Sequence, residues 1–173
     1  MKWLKRIVIG LVAAVAVVAA IGFLLPDNYT VERSIVVNAS PTEIHEYTGD
    51  LRRWPEWGPW QEGDPTIQTT ITTPTGVGAH QRWTGDSGTG ELTLTASDPS
   101  KGVAYDLQFD EQWQSVAEIT YAADGDKTTV VWRMAGELGM NPVSRYFGAM
   151  MDVLVGPMFE RGLARLKERV ATK

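Results

Sequence analysis

Two histidines, His45 and His80, are the imidazoles this chain offers for acid–base work. His80 and Arg82 are two residues apart in a stretch that reads as a strand, so they share a face. Such a pair could hold a carboxylate or move a proton; an exposed strand surface carries the same residues with no chemistry at all. His45 lies beside Glu46 on a short helix, on the side expected to face solvent. There is no cysteine, which rules out disulfides, thiol nucleophiles and thiolate metal sites. No paired-His metal spacing, Gly-x-Ser-x-Gly elbow or phosphate loop occurs. Gly76-Val77-Gly78 reads as a turn, because a dinucleotide fingerprint needs a strand before it and a helix after it. We therefore assign no catalytic residue and expect neither metal nor cofactor.

The chain is instead rich in aromatic rings. Trp54, Trp57 and Trp60 fall within seven residues, beside Pro55 and Pro59. Such a cluster can form the lip of a pocket or an interface, or plug the end of a sheet as core, which the usual burial of Trp favours for two of the three. Trp83, Tyr105, Phe109, Trp113 and Trp132 lie on strand-like segments, on what read as concave faces. With the Trp cluster, and with Met151 and Leu154 of the last helix, they are the candidate lining of an apolar ligand cavity. Polar handles depend on one phase: Gln81 joins the cavity if Trp83 points in, whereas His80 and Arg82 join it if Trp83 points out.

Those rings need a scaffold, and the periodicity supplies one. Tyr29 to Asn38 alternates as a strand. Ser40-Pro41-Thr42-Glu43 has capping-box spacing with Pro at the first helical position; the helix it starts turns Ile44 and Tyr47 inward and fails at Gly49. Leu51 to Trp60 is irregular or a second short helix. Six strands follow, roughly 66–72, 78–85, 90–97, 102–109, 113–121 and 128–136. Turn sequences such as Asp98-Pro99-Ser100-Lys101-Gly102 separate them, which predicts antiparallel neighbours. Leu92, Leu94 and Ala96 share a face, as do Val103, Tyr105, Leu107 and Phe109, and Val130, Trp132 and Met134; polar residues fill the other face. A sheet covered on one side has this pattern. The cover is a helix from Asn141 onward, with Val143, Phe147, Met151, Leu154 and Met158 as its inward stripe and a kink or break at Gly156-Pro157.

One segment sets the location. From Ile7 to Leu25 no side chain is charged or strongly polar. About 20 such residues cross a bilayer as a helix. Lys2, Lys5 and Arg6 precede the run and the next basic residue is Arg33, so the positive-inside rule puts the N-terminus in the cytoplasm and the remainder outside it. A cleaved signal peptide, cut near Ala14-Val15-Ala16, competes with this; the length of the run favours an uncleaved anchor. The domains are then 1–26, an anchor or signal peptide, and 27–173. Removing the three leading basic residues from 16 leaves 13 against 21 acidic ones, a formal charge of −8 beyond the anchor. That balance argues against nucleic acid as a partner.

Several segments in combination resemble a known family. Ser34-Ile35-Val36-Val37-Asn38-Ala39-Ser40-Pro41, Trp54-Pro55-Glu56-Trp57-Gly58-Pro59-Trp60 with Asp64-Pro65, Gly76-Val77-Gly78 with Trp83-Thr84-Gly85, Thr128 to Met134, and Phe159-Glu160-Arg161-Gly162-Leu163 resemble the START-like superfamily, in its bacterial SRPBCC polyketide cyclase/dehydrase-type branch. The resemblance covers Tyr29 to Val170. It implies an α+β helix-grip fold, a curved antiparallel sheet of about seven strands wrapped on a long C-terminal helix, with a cavity between them. Fold and pocket are implied, a substrate is not. The expectation is a membrane-anchored, extracytoplasmic domain, periplasmic in a Gram-negative cell, binding a small hydrophobic or amphipathic, lipid-like ligand. The alternatives are a cyclase/dehydrase-type enzyme using the same cavity and a protein-interaction module using the Trp54, Trp57 and Trp60 lip.

Overall fold

The charge-free run forms a helix, α1 (Lys2–Leu24), of which almost all lies exposed. This is a computed structural model, and it describes residues 2–110 and 113–172; Met1 and Lys173, the outer limits of the two expected segments, lie outside the described residues. The 22 residues Trp3–Leu24 are long and apolar enough to cross a membrane.

Beyond it, β1 (Asn28–Val37) leads to α2 (Pro41–Thr48), whose Ser40 and Glu43 cap one another reciprocally as the spacing predicts. A 3-10 turn over Leu51–Arg53 leads from α2 into two four-residue helices, α3 (Trp54–Trp57) and α4 (Trp60–Gly63). Then come β2 (Gln68–Thr73), β3 (His80–Gly85), β4 (Gly88–Asp98), β5 (Gly102–Phe109), β6 (Trp113–Asp124) and β7 (Lys127–Glu137), and finally α5 (Pro142–Ala171). The seven strands form one antiparallel sheet in the order β1-β7-β6-β5-β4-β3-β2. This is the α+β helix-grip architecture. β2 starts later than expected because Asp64 ties down Thr66, accepting hydrogen bonds from its backbone N–H and hydroxyl.

The core lies between sheet and α5. Val31, Val37, Leu94, Ile119, Val130 and Trp132 enter it from the sheet, Ile44 from α2, and Phe159, Leu163 and Leu166 from α5. Two expectations for α5 change. The helix runs unbroken through Gly156-Pro157. Pro157 and Val153 both lie on the solvent side, so the carbonyl that Pro157 cannot bond is left beside water. Gly156 leaves room for the Arg33 guanidinium, which ion-pairs Asp152 and Glu160 one turn to either side at 2.7 Å each. The stripe of the first half is also rotated. Small residues, Ser144, Gly148 and Gly156, are buried there, while Val143, Phe147 and Leu154 are exposed and Met151 is half-buried. Gly148 sits directly on Leu138, a closeness only a residue without Cβ permits.

Candidate functional site

A cavity of about 330 Å³ opens between α3, α4, the strands β2 to β5 and Met158 of α5. It is built in register. Trp83 stands opposite Gly90, which stands opposite Phe109; the neighbouring row holds Gln81, Leu92 and Leu107. Gly90 has no side chain, so the Trp83 ring folds across it and meets Phe109 edge-on at 5.6 Å. Trp83 therefore points in, and Gln81 with it. Both line the cavity.

The opposite wall is the Trp segment. Trp54 Nε1 donates to the Thr48 carbonyl at 2.9 Å and Trp57 Nε1 to the Tyr47 carbonyl at 3.2 Å, which fixes both indoles under α2. Arg165 bonds the Gly58 carbonyl and ion-pairs Glu62, Arg161 also pairs with Glu62, and Arg169 bonds the Glu56 carbonyl. This irregular stretch is thus strapped to the second half of α5. Tyr105 stands on the sheet side, edge-on to Trp54 at 5.3 Å. Its hydroxyl accepts a hydrogen bond from Trp132 Nε1 at 2.8 Å. Burial pushes the Tyr105 hydroxyl well above its ordinary value, against that hydrogen bond, so it stays protonated.

Among the described residues, one carboxylate reaches the lining. Asp64 is buried and accepts from Thr66 and from the backbone N–H and hydroxyl of Ser87, at 2.8 and 2.7 Å for the latter two. Those hydrogen bonds hold its carboxyl well below the usual carboxylate range. It clamps the start of β2 to the β3–β4 turn.

A family model described as "polyketide cyclase / dehydrase and lipid transport" matches residues 29–171. The chain belongs to this family. Solved structures with the same fold include protein CV1439 from Chromobacterium violaceum, at 14% identity and a TM-score of 0.61, over 82% of this chain and 97% of that one. Ara h 8.0201 aligns at 15% identity and a TM-score of 0.58, over 84% of this chain and 99% of its own. The di-domain ARO/CYC protein BexL of the BE-7585A biosynthetic pathway aligns at 15% identity and a TM-score of 0.60; this chain covers 46% of it. No curated protein sequence matches the chain.

In this member of the polyketide cyclase/dehydrase and lipid-transport family, Trp54, Trp60, Trp83, Tyr105 and Gln81 of the expected site line the cavity. The other expected residues lie elsewhere. Trp57 and Trp132 are fully buried core, and Trp132 stacks on Phe159 at 4.0 Å. Phe109 backs Trp83 from behind. Trp113, at the end of the same row, is 44% exposed, and Leu154 is 52% exposed; Met151 is half-buried against the core. His80 and Arg82 lie on the outer face of β3, where His80 Nδ1 meets Thr93 Oγ1 at 3.1 Å and Arg82 pairs with Glu91 at 3.0 Å. A larger hollow of about 1080 Å³ runs over outward-facing Thr93, Asp106, Val116 and Ala135 and reaches Tyr29 and Trp113 at its rim; it is open to solvent and its lining is largely polar.

Sequence reasoning missed Asp64, Ser87, Ile67, Thr69 and Met158 as lining. Asp64-Pro65 carried a signal, as part of the Trp segment, but nothing local pairs Asp64 with Ser87 across twenty-odd residues. His45 was expected to face water. It is half-buried instead, with Nε2 at 3.1 Å from Ser97 Oγ and Nδ1 at 3.4 Å from Tyr121 Oη, and Tyr121 also bonds Thr48. Burial lowers its pKa from 6.5, with Asp98 pulling the other way.

Proposed function

We propose that this chain is a membrane-anchored domain that works outside the cytoplasm and holds one small apolar or amphipathic molecule in the cavity between Trp54, Trp60, Trp83 and Tyr105. The observation that carries this is the cavity's chemistry. Its volume, about 330 Å³, is at the lower end of ligand pockets, and its walls are mostly aromatic and aliphatic. The Tyr105 hydroxyl already accepts from Trp132, so its own proton is left for an acceptor on the ligand. Binding is favoured over catalysis by the two titratable groups among the described lining residues. Asp64 is committed to Thr66 and Ser87, and Tyr105 is held protonated. The His80/Arg82 pair, which a proton-transfer reading would have used, faces away from the cavity. Burial of Trp54 and Trp57 likewise weighs against an exposed interaction lip. Anchoring is supported by the uninterrupted apolar run of α1 from Ile7 on, which follows Lys2, Lys5 and Arg6.

The test is native mass spectrometry of gently extracted full-length protein, paired with titration by a fluorescent fatty probe. The wild type is expected to carry, or take up, one apolar molecule. Leu92→Trp places an indole inside the cavity and is expected to abolish probe binding while the chain still folds. Undiminished probe binding by that variant would remove the cavity as the site.

A further inference from the structure

The first half of α5 and the turn before it have their large residues on the wrong side for a soluble domain. Met140, Val143, Phe147, Met150 and Leu154 are 84, 60, 59, 52 and 52% exposed, and Val153 is 74% exposed. At about 100° per residue, Val143, Phe147, Met150 and Leu154 form one stripe. It is flanked by the buried small face of Ser144 and Gly148 on one side and by the face that touches α1 on the other. From Met140 to Met151 the sole charged side chain is Arg145.

The depth of this stripe follows from α1. Tyr146 Oη donates to the Val18 carbonyl at 2.7 Å, and Gly22 lies against Pro142 and Tyr146. Val18 is seven residues before Leu25, roughly 10 Å down the helix at 1.5 Å per residue. The 22 residues of the apolar helix span about 33 Å, against a hydrocarbon core of about 30 Å. A helix that crosses therefore has almost no length to spare, and Val18 must lie at bilayer depth. Tyr146, on that carbonyl, lies there too. Arg145 is no obstacle, because its guanidinium caps the end of α1 on the carbonyls of Phe23 at 3.0 Å and Leu25 at 3.1 Å and also bonds the Gly139 carbonyl at 3.2 Å. Cations are favoured at a helix C-terminus.

We infer that the first half of α5 is a second membrane contact, seated in the lipid–water interface beside α1, with Val143, Phe147, Met150 and Leu154 against acyl chains. This rests on the anchoring of α1 proposed above. Interfacial helices bury their apolar face about 5–10 Å below the headgroup boundary, which is the depth the Tyr146–Val18 contact imposes on the first turns of α5. The placement also orients the domain. β1 begins at Asn28, Tyr29 bonds Ser115 of β6 at 2.8 Å, and β6 runs parallel to β1 through their shared neighbour β7. Trp113, two residues before Ser115, is therefore at the membrane end of the sheet, and so is the row it ends, Trp83, Gly90 and Phe109. The aromatic end of the concave face is thus turned to the bilayer, the source from which an apolar ligand would enter.

The chain has no native cysteine, so a single introduced one takes an environment-sensitive fluorophore without competition. Full-length Val12→Cys, Phe147→Cys, Met150→Cys and Ala123→Cys, each labelled and reconstituted in phosphatidylcholine nanodiscs, are probed with spin-labelled lipid and with aqueous iodide. Ala123 lies on the β6–β7 hairpin, at the opposite end of the sheet. The expected result is that lipid quenches positions 12, 147 and 150, which also show blue-shifted emission, and iodide quenches position 123. Lipid quenching at 12 with iodide quenching at 147 and 150 would overturn the inference and leave the anchor standing. Shielding of 147 and 150 from both quenchers would mean that a second copy or another protein covers the face, and would also overturn it. Loss of lipid quenching at 12 itself would remove the anchor, and the inference with it.

Discussion

Trp132 is held from every side. Phe159 stacks on it in parallel, Trp57 and Trp60 meet it edge-on at 5.3 and 6.0 Å, and its indole N–H ends on Tyr105. It is core beside the cavity, not cavity wall. Trp132→Ala is therefore expected to cost about 3–5 kcal/mol, read from urea unfolding of the detergent-solubilised protein. A much smaller loss would mean that the cavity extends to this ring. His45 makes a different kind of prediction. Its pKa is lowered by burial, so below about pH 6.5 the unfolded chain binds a proton that the folded chain resists. Stability is then present above that pH and declines as pH falls through the window below it. Unfolding free energies measured between pH ~7 and ~5, above the ordinary carboxylate range, should fall with pH, and His45→Gln should flatten the slope. An unchanged slope in that variant would assign the dependence to another group.

At the scale of elements, two of the glycine contacts of α5, at Gly162 and Gly156, differ in stiffness. A Cβ on Gly162 would come within 2.8 Å of the Trp132 ring and 3.2 Å of Pro59, and neither can give way. Alanine gains up to about 1 kcal/mol in a helix interior, but overpacking a rigid contact costs about 1–3 kcal/mol. Gly162→Ala should therefore destabilise. A Cβ on Gly156 meets only the far end of Arg33, whose exposed ion pairs are worth about 0–1 kcal/mol. Gly156→Ala should come out near neutral, the helix gain offsetting the lost pairs. Denaturant midpoints of the two variants, side by side, check this order; equal losses would mean that Arg33 is as immobile as Trp132.

For the whole molecule, the prediction concerns where it sits. If α1 is an uncleaved span, intact mass of the membrane fraction should include Lys2, and a reporter fused after Lys173 should be active only outside the cytoplasm; a soluble chain beginning near Val17 would show a cleaved signal instead. That expectation was legible in the sequence, because a long charge-free run is a local property. So were the capping box at Ser40, the antiparallel pairing of consecutive strands through their turn sequences, and the inward phase of Leu92, Tyr105 and Trp132, since periodicity of two or 3.6 reports directly which side of an element is dry; that β1 pairs with β7 was not local. Other features were not local. Whether Trp83 or His80 faces the cavity depended on Gly90 standing opposite Trp83, a matter of register between strands. Asp64 was recruited by Ser87 across a turn, and His45 was buried by Ser97 and Tyr121 arriving from two other strands. The rotation of α5 follows the same logic. Its apolar spacing named the helix but could not say which stripe packs inward, because that was decided by how closely Leu138, Arg33 and α1 approach Gly148, Gly156 and Tyr146. A residue's own type determines what it can bury, and only the partners brought to it by the fold decide what it does bury.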